Sequence, residues 1–233
     1  MARITRKELK SDKFAQEVGL TVTFFEEHQK EIARYGSIAA VAGLLVAGYV
    51  FYQRHEHGLR DEALTKAIQV QEAVVGPSGN GGGLSFPTQE AKDQEAIRVF
   101  TDLRNKYAGS QEAEIAAYYL GAIQADQGKL AEADKSFQEV ARNGDDRYAS
   151  LARLSLAQIY FADGHSDLGE RTLRELIAKP TIFVSREQAT ITLARYLAPT
   201  KPDEARKLLD PLRKVPGAVG QAAIQAYSDI APQ

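Results

Sequence analysis

Residues 120–137 read LGAIQADQGKLAEADKSF, and the spacing inside this stretch decides the fold. Leu120 and Gly121 sit on a run of helix-forming residues that Asp126-Gln127-Gly128 interrupts, because glycine and its polar neighbours favour a turn. Ala133 and Phe137 follow at i and i+4, one turn apart on one face of a second helix. The reading is helix, tight turn, helix. The same pattern returns along the chain as Ala96/Phe100, Ala133/Phe137, Gly169/Leu173 and Ala205/Leu209, in steps of 37, 36 and 36 residues. A companion series, Leu120-Gly121, Leu156-Ala157 and Leu193-Ala194, steps by 36 and 37. Turns at Asp163-Gly164 and at 199–202 (Pro-Thr-Lys-Pro) separate the later pairs. Small residues in both series let paired helices cross closely, and each Phe or Leu fills the gap to the next unit. Ser110 and the capping box Ser185-x-x-Gln188 mark helix starts.

A unit with Leu-Gly, a turn glycine seven residues on, then Ala-x-x-x-Phe resembles the tetratricopeptide repeat. Residues 114–147 carry the pattern best, and 150–183 keep Leu156, Ala157, Tyr160, Gly164, Leu173 and Pro180. The unit at about 187–216 loses a residue in its turn, and Ala117 stands where the repeat has tryptophan. The unit ending near Tyr107 draws its first helix from before a glycine-rich loop. Gly217 to Ile230 is expected to cap the open end of the stack. The resemblance implies a concave groove lined by the first helices. By position Tyr118, Gln158, Phe161 and Arg195 are expected to face it, with Tyr119 and Arg153 near its edge.

Upstream lies a different kind of segment, YGSIAAVAGLLVAGYVFY at 35–52, without a formal charge and flanked by Arg34 and Arg54. As a helix it spans roughly 27 Å, close to the hydrocarbon thickness of a bilayer. Tyr35 and the Tyr49, Phe51, Tyr52 group sit where interfacial aromatics belong. A signal peptide has a shorter leader and small residues at its cleavage site, so an uncleaved anchor is the reading. Gly36, Ala39, Ala40, Gly43 and Ala47 form a small-residue stripe suited to contact with another membrane helix.

The predicted organisation is an all-α chain. A leader at 1–34 precedes an anchor at 35–53, a post-membrane helix at 54–75 and a flexible glycine-rich loop at 76–88. Repeats with their capping helix fill 89–233. In the leader Leu9, Phe14, Val18, Val22 and Phe25 recur at helical spacing, which suits either an interfacial helix or a docking helix. Short basic leaders stay on the cytoplasmic side, which puts residues 1–34 in the cytoplasm and 55–233 across the membrane.

The composition narrows the function. There is no cysteine, hence no disulfide and no thiolate metal site. Beyond residue 54 there are 25 Asp+Glu against 21 Lys+Arg, which argues against nucleic acid as a ligand. His55 and His57 stand at i and i+2, pointing about 200° apart on a helix, so they do not share an ion. His165 falls in a turn, and Asp145-Asp146 reads as helix-start charge. The loop at 76–83 lacks the Lys-Ser/Thr ending of a phosphate loop. The expectation is no enzyme and no cofactor.

A short charged leader, one anchor, a helix leaving the membrane and a small degenerate repeat domain together resemble the ancillary subunit of the bacterial Sec translocon. That resemblance implies binding to the Sec channel, periplasmic chaperones or emerging secreted proteins, from an inner-membrane position. An envelope scaffold tied to another inner-membrane or cell-wall complex is the alternative, and an enzyme, or a subunit completing one, a third. The oligomeric state is left open.

Overall fold

The computed structural model describes the backbone of residues 6–76 and 83–230, with side chains for residue 30 and, in those ranges, from 33 onward. The leader stripe and residues 77–82 of the glycine loop therefore lie outside the described residues or side chains. The chain divides into two compact units, Met1–Gly58 and Leu59–Gln233.

Helix α1, Arg6–Gln71, carries the anchor sequence and the post-membrane sequence as one element. Its part Ala33–Gln71 contains a window of mean hydropathy 1.6, none of it buried. Among the described residues this is the one helix long and apolar enough to cross a membrane. Within the unit Met1–Gly58, Leu44 and Leu45 are 73% and 70% exposed.

Two short strands follow, β1 (Val74–Val75) and β2 (Ser85–Phe86), paired in parallel. The Val74 N–H donates to the Leu84 carbonyl at 3.2 Å and the Gly76 N–H to the Phe86 carbonyl at 2.8 Å. Two expected boundaries shift as a result. The post-membrane helix ends at Gln71 rather than at 75, because the β-branched pair before Gly76 favours extended backbone. The loop expected at 76–88 holds strand β2, where glycine gives way to Leu84, Ser85 and Phe86.

The remaining elements are α2 (Gln89–Lys106), α3 (Gln111–Asp126), α4 (Leu130–Asn143), α5 (Asp146–Ala162), α6 (Ser166–Ala178), α7 (Arg186–Leu197), α8 (Pro202–Leu209) and α9 (Ala218–Ser228), with a 3-10 turn at Leu212–Lys214 before α9. From α2 to α8 each helix packs on its neighbour in sequence, and α9 closes on α7 and α8. Four starts carry side-chain caps. Thr88, Ser110 and Ser185 accept from the N–H groups of Ala91, Ala113 and Gln188, and Asp145 from those of Arg147 and Tyr148. Gly128 and Gly164 supply the left-handed turns at φ 74° and 78°.

Every position of both periodic series is buried, from Ala96 and Phe100 through Ala205 and Leu209. Three clusters hold all of them but Gly121 and Gly169. Ala67 and Val70 of α1 join Ala96, Phe100, Leu103, Ala116, Leu120 and Ile123. Ala117, Ala133, Phe137, Val140, Ala152, Leu156 and Ile159 form the second. The third runs from Leu154 through Leu173, Leu193 and Leu209 to Ile230. The first helix of the first unit is thus taken from before the loop.

Candidate functional site

Helices α3, α5 and α7 are the first helices of successive units, and their exposed sides meet above the second cluster. A cleft of about 350 Å³ opens there. Its lining comes from Ala122, Ala125 and Asp126 of α3, Leu130 and Phe137 of α4, Ser155, Gln158, Ile159 and Ala162 of α5, and Tyr196 of α7. The spacing explains the convergence, because 122, 125 and 126 share one face of α3, and 155, 158, 159 and 162 one face of α5. Alanines keep the helix surfaces low, so the floor is apolar and the polar groups stand at discrete points: one hydroxyl, one amide, one carboxylate and one phenol.

The structure gathers some of the sequence-predicted groove residues and separates others. Gln158 is exposed and lines the cleft. Tyr118 is half-buried beside it. Burial pushes its phenol up, and a hydrogen bond with Ser155 works in the opposite direction. Phe161 stacks face to face on Tyr196, with centroids 4.2 Å apart and planes at 3°. Its ring also fills the space a Cβ on Gly169 would need, at 2.6 Å. Phe161 therefore packs α5 against α6 and α7, and supports the cleft through Tyr196. Arg195 is exposed in the last turn of α7 and does not line the cleft. Tyr119 stacks on Phe100 at 4.9 Å, and Arg153 donates to the Ala141 carbonyl at 3.0 Å, so both hold helices together.

Of the ten lining residues only Gln158 is among the groove positions expected from the sequence. Phe137 is expected in the core, and the other eight, with the polar Asp126, Ser155 and Tyr196 among them, are not singled out as groove residues. Asp126 and Ser155 share helix faces with residues that the repeat spacing had already placed. Tyr196 is one residue from Arg195, and that 100° rotation moves a side chain from open solvent to the cleft wall.

Aromatic rings continue past the cleft. Tyr118 meets Tyr119, Phe137 and Tyr148 at 5.8, 5.7 and 5.6 Å, and Tyr148 meets Phe183 at 5.4 Å. They tie α3, α4, α5 and the α6–α7 connection into one packed row.

A second concavity, of about 540 Å³, lies between α6 and α8 and is lined by Asp167, Glu170, Arg171, Arg174, Glu175, Ala178 and Lys201. Glu170 accepts from Lys201 at 2.9 Å and Arg174 at 2.7 Å, and Arg174 also donates to Glu204 at 2.5 Å. The Lys201 hydrogen bond, then that of Arg174, holds the Glu170 carboxyl below its ordinary range. This is a helix-to-helix brace.

In the unit Met1–Gly58, Gly36, Ala39, Ala40, Gly43 and Ala47 are all exposed. A shallow notch passes over Ala42, Gly43, Val46, Ala47, Val50, Phe51 and Arg54. Nothing lies within 4 Å of the Cβ positions that side chains at Gly36 and Gly43 would occupy.

No curated protein and no solved structure matches the chain. The family model of the tetratricopeptide repeat-like domain matches residues 23–207, a span that includes the apolar part of α1 as well as the helices through most of α8. Since the match covers most of the 233 residues, the chain belongs to the tetratricopeptide repeat-like domain family.

Proposed function

We propose that this protein is a non-catalytic, membrane-anchored adaptor that binds other proteins through the cleft across α3, α5 and α7. The open apolar floor of that cleft, with Gln158 exposed beside it, carries the reading. Its size and lining suit a few side chains of an extended or helical segment. Domains of this family commonly mediate protein–protein contacts, which supports the same class.

The exposed apolar run in α1 supports anchoring. Leaving Leu44, Leu45 and Phe51 in water would forgo roughly 1.5–3 kcal/mol each, which a bilayer restores. We place the anchor in the inner membrane, with the leader cytoplasmic and the repeat domain periplasmic. On the likeness of layout, the partners are the Sec channel and the periplasmic chaperones or secreted chains that meet there. The small-residue face Gly36, Ala39, Ala40, Gly43 and Ala47 is the proposed contact with a membrane partner.

Site-specific photocrosslinking in intact cells tests this. A crosslinker at Gln158 should capture protein partners, and one at Ala39 should capture the Sec channel, while Glu132 on α4 should give neither. Capture of a different inner-membrane or cell-wall complex from both positions would replace the translocon reading with a scaffold. No capture from Gln158 would remove the cleft from the account.

A further inference from the structure

The cleft has a charge preference built into its walls. Of its lining side chains only Asp126 is charged. Asp126 is the last residue of α3, and Ala162, the last of α5, lines the same cleft with Asp163 following as the helix cap. Two helices therefore end at this cleft. A helix C-terminus carries partial negative charge and ordinarily attracts Lys, Arg or His in its last turn. Neither α3 nor α5 has a basic residue there. Each has an aspartate at its end instead, and both aspartates are exposed.

No ion pair relieves them among the described residues. Some exposed carboxylates do find cations, as Asp102 with Arg98, Asp203 with Arg206 and Asp210 with Arg213. Glu132, Asp146 and Asp167 are unpaired as well among the described residues, so it is the position of Asp126 in the cleft wall that matters. Lys129 lies three residues beyond Asp126 and makes no bond to it. The result is a cleft of mixed apolar and polar lining whose one charged side chain, Asp126, has no ion pair among the described residues, in a domain that is acidic overall.

Resting on the reading of this cleft as a peptide site, we infer that it selects apolar segments carrying a lysine or arginine, and rejects acidic ones. The aliphatic side chains of such a segment lie on the alanine floor against Tyr196, and its cation meets the Asp126 carboxylate and the ends of α3 and α5. A charge pair at a partly desolvated site contributes to affinity and discriminates against the opposite sign.

The test uses the full-length chain in an uncharged detergent and three fluorescein-labelled short peptides. The peptides share one Leu/Ala sequence and differ only in carrying two Lys, two Gln or two Glu. Fluorescence anisotropy should give a Kd for the Lys peptide roughly tenfold below that of the Glu peptide, with the Gln peptide between. Added salt should narrow the gap. Asp126→Asn should bring it to about twofold, and adding Asp163→Asn should close the rest, whereas Glu132→Gln on α4 should leave it intact. Equal binding of the three peptides, or a gap that survives Asp126→Asn, would overturn the charge preference while leaving the cleft a peptide site. If no peptide binds, or if Gln158→Trp does not weaken binding, the cleft reading itself fails and this inference with it.

Discussion

Phe137 is 2% exposed, touches the Tyr118 ring, and its edge fills the place where a Cβ on Gly121 would stand, at 2.9 Å. Phe137→Ala should destabilise the protein by about 3–5 kcal/mol, the usual range for emptying an aromatic site. Ala133→Leu, at a position with no exposure, should cost about 1–3 kcal/mol by overpacking. Glu132 and Lys135 beside them are exposed, and their alanine variants should stay within about 0.5 kcal/mol. Chemical denaturation of the chain in mild detergent reads this contrast, and a harmless Phe137→Ala would break the repeat register. Gly169→Ala asks a subtler question. Alanine favours a helix by about 1 kcal/mol over glycine, yet its Cβ would meet the Phe161 ring at 2.6 Å and the Ala157 carbonyl at 3.0 Å. Because Tyr196 stands behind that ring, the clash should win, with a net loss of about 1 kcal/mol that Phe161→Leu partly reverses. Legibility at this scale followed period. Phe137 and Ala133 stand out because they recur every 36 residues, whereas Phe161 and Tyr196 form a pair that occurs once, and no spacing announces it.

Among the elements, α5 shows how a helix start is fixed and how pH acts on it. Burial alone would raise the Asp145 carboxyl, but the cap N–H of Tyr148, the Arg147 side chain and the Arg147 N–H outweigh it and hold the group below its ordinary value. A depressed carboxyl contributes stability that is complete above its unfolded pKa, about 4, and is lost as pH falls through the folded value. Asp145→Ala should therefore cost about 1 kcal/mol at pH 7 and progressively less below pH 4, whereas Asp145→Asn, which keeps the cap acceptor, should be far milder. Thermal melts at several pH values measure the difference; a penalty that does not fade in acid would rule out the charged cap. Helices were readable in the sequence where Gly, Pro or a capping residue punctuates them, as at Ser110, Gly128 and Ser185. The joint from α1 to β1 was not, because Val74 and Val75 continue the apolar periodicity of a helix while their branched side chains favour a strand.

For the whole molecule, the proposed orientation has a direct check. Protease added to spheroplasts should digest residues 55–233 and spare the leader; cleavage of the leader with the large domain intact would reverse the topology. The architecture of repeats was legible because each unit repeats the last, while the cleft was legible only in part, since it arises from three helices whose exposed faces no single unit defines. Chain segments on both sides of residues 77–82 are held by side-chain burial at Ala67 and Val70 and by the β1–β2 backbone bonds. Those contacts should hold the two sides together even without the covalent link. A protease site inserted at 77–82 and cut after folding should leave two fragments that migrate as one species until denaturant separates them, and fragments that part at once would show the contacts too weak. The same break is then a seam: co-expressed as two polypeptides, residues 1–76 and 83–233 should find each other and rebuild the first repeat by complementation.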